Sequence, residues 1–219
     1  MSSSLPPEYG APHPLSTNRE SRAAEWLGAN ARALGVVAAV VAIGAIGTVA
    51  WKSSERAKAG RAEQALYQAE GSLSQGDAAQ AERALRDVAT RYAGTSAGAE
   101  AQLLLAQTLY DAGRYQEGLG VLARGTPPAD LADAVQLLTA AGYEGVGRAR
   151  DAAKIYEALA TKSGVVASRA AELRAAAARA YQLGNDRAAA LRLWRSIAEG
   201  PSGPLVDEAR VRIGELATG

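Results

Sequence analysis

Four glycines recur at nearly even intervals, each followed by a polar or charged residue: Gly76-Asp77, Gly113-Arg114, Gly147-Arg148 and Gly184-Asn185, separated by 37, 34 and 37 residues. Seven residues before each stands an alanine (Ala69, Ala106, Ala140, Ala177), and five after it a small residue (Ala81, Gly118, Ala152, Ala189). Nine after it stands an apolar one: Leu85, Leu122, Tyr156, Leu193. Two antiparallel helices joined by a tight turn approach closely only where the residues facing each other near the turn are tiny. A larger apolar side chain one turn further on then fills the space where the helices diverge. A unit of this length cannot bury its apolar face alone, so successive units stack and share a core. The register therefore predicts four stacked helix pairs, with Gly142, Gly145 and Gly147 all falling where the third pair needs its turn.

Alanine makes up about a quarter of the chain, so one column of alanines says little, whereas three columns held through four units carry the assignment. Ala, Leu, Arg, Glu and Gln dominate after the first twenty residues and no apolar alternation of period two occurs, which makes the fold class all-α. The 24 basic and 23 acidic residues give a net charge of +1, so nothing points to nucleic acid as a partner. There is no Cys and a single His, His13, which removes disulfide frameworks, Cys-rich zinc sites and thiol or imidazole catalysis. The carboxylates Asp130, Asp133 and Glu144 have no matching base in the pattern, and no glycine-rich loop follows a strand. The expectation is a protein that is not an enzyme, with no cofactor and no metal.

Between Arg32 and Lys52 lie 19 residues without a charge, ALGVVAAVVAIGAIGTVAW. As a helix they span about 28 Å, close to the hydrocarbon thickness of a bilayer. Trp51 at one end and Trp26 before the other suit the two interfaces. The competing reading is a cleaved signal peptide, with Thr48-Val49-Ala50 as a loose cleavage site. The long preceding segment, carrying Glu8, Glu20 and Glu25, favours an uncleaved anchor. Arg19, Arg22 and Arg32 before the run nearly balance Lys52, Arg56, Lys58 and Arg61 after it, so flanking charge does not fix the orientation. The predicted organisation is a disordered proline-rich tail (1–17), a short pre-membrane helix (18–32) opened by a Thr17/Glu20 capping box, and a transmembrane helix (33–51). A basic juxtamembrane segment (52–61) and a repeat domain (62–217) follow. The repeat domain closes in a capping helix with Leu205, Val206, Ala209, Ile213 and Leu216 on one side. Gly35 with Ala39, and Gly44 with Thr48, put small residues four apart in the apolar run and leave self-association open.

The strings LLLAQTLYDAGRYQEGLGVL and AAGYEGVGRARDAAKIYEAL resemble the tetratricopeptide repeat. One membrane helix followed by such repeats and a cap resembles the YfgM family, ancillary subunits of the bacterial Sec translocon. NRESRAAEWLGANARALGVVAAVVAIGAIG is similar to that family's entry to its membrane helix, and YAGTSAGAEAQLLLAQTLYDAGRYQEGLGVL to its first well-formed repeat. The resemblance implies a single-pass inner-membrane protein with periplasmic repeats that receive polypeptides beside the translocon and a membrane-bound chaperone. The string YAGTSAGAEAQLLLAQTLYDAGRYQEGLGVL is also similar to the repeats of Tol-associated coordinators of cell division, which is the alternative, and of outer-membrane assembly lipoproteins. Arrays of this kind bind proteins or peptide segments along the surface lined by their first helices. In the register above those positions are Leu66, Glu70 and Leu73; Leu103, Gln107 and Tyr110; Leu137, Ala141 and Glu144; and Arg174, Ala178 and Tyr181. Tyr110 and Tyr181 occupy equivalent places, where an amphipathic ring suits a groove.

Overall fold

The computed structural model describes residue 26 and residues 31–218, giving for 31–47, 49 and 50 the helical backbone alone. The expected tail (1–17) and all of the pre-membrane helix (18–32) but Trp26 and the start of α1 lie outside these residues. Nine helices are described: α1 (Ala31–Ser74), α2 (Ala78–Arg91), α3 (Ser96–Asp111), α4 (Tyr115–Leu122), α5 (Ala132–Gly145), α6 (Ala149–Ala160), α7 (Ala167–Leu183), α8 (Arg187–Ala198) and α9 (Pro204–Thr218). There is no strand among the described residues. Two compact units divide between Glu55 and Arg56.

Among the described residues no helix is long and apolar enough to cross a membrane. The expected transmembrane helix, 33–51, falls on the part of α1 whose side chains, apart from Thr48 and Trp51, lie outside the description. The basic stretch 52–61 is helical and lies within α1. Its Lys, Arg, Glu and Ala residues favour helix, and Gly60 alone does not break it.

From Arg56 onward the helices stack in sequence order. α2 packs on α3, α3 on α4, α4 on α5, and so on to α9 on α8, and α3 also lies directly against α5. One apolar cluster joins Leu66 and Ala69 of α1 to Leu85 and Val88 of α2 and to Ala101, Leu105 and Leu109 of α3. A second joins α5 to α9 around Trp194, which is fully buried and donates its indole N–H to Gln182 Oε1 at 3.1 Å. The capping helix begins at Pro204, where a missing N–H costs nothing, and lays Ala209, Leu205, Ile213 and Leu216 on that cluster. The Arg179 guanidinium binds Glu208 of α9 at 2.5 and 3.0 Å, and Arg187 donates to the Leu216 carbonyl.

The turns within the pairs share one backbone geometry. Gly76, Gly113 and Gly147 take φ of 78°, 73° and 76°. In each, the N–H of the positive-φ residue reaches the carbonyl three before it and the next N–H reaches back five: Gly113 to Tyr110 and Arg114 to Leu109, both 2.8 Å. This crossed pair of bonds satisfies the last carbonyls of the first helix, and the residue after the glycine is also the N-cap of the second. In the fourth turn Asn185, and not Gly184, takes the positive φ, at 56°. Asn185 N–H donates to Gln182 and Asp186 N–H to Tyr181. Asn is the non-glycine residue that best tolerates this conformation.

The fourth unit is therefore displaced by one residue from the register read in the sequence. Its column members are Ala178, Ala190 and Trp194, each 0 % exposed, in place of Ala177, Ala189 and Leu193. Neighbouring alanines on both helices concealed the slip. The third turn corrects a second expectation: Gly142 and Gly145 lie inside α5, and Gly147 alone makes the turn.

Candidate protein-interaction surface

The first helices of the pairs are the C-terminal part of α1, then α3, α5 and α7. On α3 the buried stripe Ala97, Ala101, Leu105, Leu109 leaves Glu100, Leu103, Gln107 and Asp111 on the outward side. Spacings of three and four residues place them on one helical face. Glu63 and Glu70 on α1, and Leu137, Ala141 and Glu144 on α5, continue this side.

The residues expected to bind partners divide into two groups. Leu103 and Leu137 are partly buried, the first against Ala106, Tyr110 and Leu122, the second against Leu159, Ala160 and Leu173. Glu70 is partly buried, while Gln107 is exposed and its amide donates to Asp111 Oδ1 at 2.8 Å. Glu144 is exposed along part of its length, yet the walls around it desolvate the carboxyl and push its pKa up. Arg174 is partly buried with no ion pair among the described residues. Trp26 and Trp51 are 60 % and 67 % exposed.

Leu66, Tyr110 and Tyr181 belong to the interior, with 6 %, 6 % and 7 % of their surface exposed. Tyr110 lies beside Tyr115 and is sealed by two glycines: a Cβ on Gly118 would stand 2.3 Å from its ring, and one on Gly142 2.1 Å from its hydroxyl. Among the described residues that hydroxyl has no hydrogen-bond partner, and burial raises its pKa to about 12. Tyr181 instead donates to Glu157 Oε2 at 3.1 Å, and Glu157 also receives Arg192 at 2.8 Å. The two tyrosines are not equivalent. By turn geometry Tyr181 matches Tyr143 and Leu109, while Tyr110 matches Glu144 and Gln182. The fourth unit thus offers Ala175, Arg179 and Gln182 where the sequence register put Arg174, Ala178 and Tyr181. Arg179 was not anticipated as a site residue because the slip is invisible among alanines.

Among the described residues no group of three or more His, Asp or Glu could hold a metal ion. Shallow indentations mark the described surface. One of about 600 Å³ lies beside the α4–α5 loop at Arg124, Pro127 and Pro128, and an apolar one of about 380 Å³ lies between α7 and α9. What the geometry offers is an extended side of stacked helices. Residues 24–126 match the tetratricopeptide repeat-like domain family. The match takes in the first two helix pairs, and the third and fourth repeats beyond it reproduce the same turn. No curated protein matches the chain. Domains of this family are typically protein-interaction scaffolds.

Proposed function

We propose that this protein is a membrane-anchored tetratricopeptide repeat scaffold of the bacterial envelope, an accessory factor of the Sec translocon and its periplasmic chaperone network. The observation that carries the reading is the uncharged run 33–51, which precedes the repeat array in the sequence. A single uncharged stretch of bilayer length beside a protein-binding array is the arrangement expected of a subunit that holds clients near a membrane. The anchor, its envelope location and the translocon partner rest on the sequence and its resemblance to the YfgM family. Photoreactive residues at Gln107 and Glu144, both exposed, would capture what the repeats touch in intact membranes. Crosslinks to translocon subunits or a membrane chaperone support the proposal, and crosslinks to division proteins replace it with the Tol-associated alternative. Protease digestion of spheroplasts tests the side of the membrane: a repeat domain that survives digestion is cytoplasmic, and the periplasmic reading then fails.

A further inference from the structure

The two sets of helices treat their charges differently. On the second helices every carboxylate is paired with an arginine: Glu82 with Arg86 and Arg114 at 2.8 and 2.7 Å, Asp87 with Arg91 at 2.9 Å, Glu117 with Arg114 at 2.6 Å, Asp151 with Arg148 at 2.7 Å, and Glu157 with Arg192 at 2.8 Å. The first helices of units one to three carry Glu63, Glu70, Glu100, Asp111, Asp133 and Glu144, and from Ala62 to Ser74, through α3 and through α5 they contain no Lys or Arg. Of these six only Asp133 has a cation, Lys162 at 2.6 Å. The others have none among the described residues.

This asymmetry is a property of surface and sequence together. A chain with 24 basic and 23 acidic residues has paired the carboxylates of its second helices internally and left most of those on the first helices of units one to three without a cation, whereas the first helix of unit four carries Arg169, Arg174 and Arg179. The first helices of units one to three also show Leu103 and Leu137, so an occupant must match both charge and apolar contact. Burying an unpaired carboxylate under a neutral or acidic partner would cost free energy, whereas a cation arriving with the partner offsets that cost. Glu144 already sits where its charge is poorly solvated.

We propose that the outward side of α1, α3 and α5 docks a basic, amphipathic segment of a partner protein, its Lys or Arg residues meeting Glu70, Glu100, Asp111 and Glu144 and its apolar residues meeting Leu103 and Leu137. This rests on the scaffold reading above and names the chemistry of the occupant. The test uses the full chain in phosphatidylcholine nanodiscs and a short fluorescein-labelled peptide of Lys, Leu and Ser, compared with the same peptide carrying Glu for Lys. The basic peptide binds, the acidic one does not, and affinity falls as salt rises. Replacing both Glu100→Gln and Glu144→Gln, which keeps shape, weakens binding about five- to tenfold. Asp87→Asn on the second-helix side changes nothing. Equal binding of the acidic peptide, unchanged affinity in the double variant, or an equal loss in Asp87→Asn overturns the proposal. A dimer that the Gln variants dissolve would assign this side to the Lys52 to Arg61 stretch of a second copy and also overturns it. Photocrosslinks to partners without a basic segment would leave the scaffold standing and remove this inference, while absence of both crosslinks and peptide binding removes both.

Discussion

Gly142→Ala is the most discriminating perturbation of the packing. In a helix interior this exchange normally stabilises by about 0.5–1 kcal/mol, because glycine loses more backbone freedom on folding. Gly142 is different: the added Cβ would stand 2.1 Å from the Tyr110 hydroxyl, 2.7 Å from Cζ and 2.8 Å from a Leu119 methyl. Tyr110 has little room to retreat, since its ring already lies against Gly118 and Tyr115. Overpacking of this kind costs about 1–3 kcal/mol, so the net effect is destabilisation by about 1–2 kcal/mol. Gly120 in α4 is the control, because a Cβ there meets nothing within 4 Å, and Gly120→Ala should stabilise by about 0.5–1 kcal/mol. Tyr110→Phe removes the unpartnered hydroxyl, relieves about 1 kcal/mol of desolvation, and lowers the cost of Gly142→Ala in the double variant. Urea unfolding of the full chain in detergent, followed by far-UV circular dichroism, reads all four. If Gly142→Ala stabilises as Gly120→Ala does, the tyrosine is free to shift and the interlocking of α3 with α5 described above is wrong.

Two further predictions use the same unfolding assay. Gly113→Ala should cost about 1 kcal/mol because its φ is 73°, whereas Asn185→Gly should be neutral or slightly stabilising; a large loss from Asn185→Gly would contradict the displaced register. Arginine hydrogen bonds hold the Glu82, Glu157 and Glu208 carboxyls below the usual 4.5, so their stabilisation is complete above that value and is lost as pH falls through their lower folded values. Glu144, raised by desolvation, contributes in the opposite sense, gaining stability as it protonates. The net expectation is a urea midpoint that drops below about pH 4.5, less steeply in Arg192→Gln; an unchanged slope in that variant would show that the Glu157 pair does not contribute.

The helix pairs were legible because their turns need a residue of positive φ and their crossings need a side chain no larger than a methyl, and both requirements select residues that stand out. Gly76, Gly113 and Gly147 satisfy the first without ambiguity. The fourth turn was misplaced for a physical reason: Asn185 can adopt the conformation that Gly184 was assumed to supply, and Ala177-Ala178 and Ala189-Ala190 satisfy the small-residue columns in either register. Trp194 and Leu193 do not separate the registers either, since both are buried in one cluster, at 0 % and 3 % exposure; it is the positive φ of Asn185 that marks the slip.

The interaction side was less legible than the fold, and the two tyrosines show why. An amphipathic ring on a first helix suits either a groove or an interior, and sequence spacing does not distinguish them. What decides is a neighbour on an adjacent unit, the following one for Tyr110 and the preceding one for Tyr181. Gly142 clears space for Tyr110, and Glu157 supplies an acceptor for Tyr181. Charge was the better guide, although it had to be read in pairs. A carboxylate such as Glu82, satisfied by Arg114 from the following unit, does structural work between repeats, and its removal weakens the stack. A carboxylate such as Glu100, on a helix with no cation at all, forms no ion pair among the described residues. If its value lies in a partner, Glu100→Gln should leave the urea midpoint unchanged while Glu82→Gln lowers it, a contrast measurable without knowing the partner. Equal losses from the two would mean that Glu100 has an internal role, and the division of labour between the two sets of helices would fail.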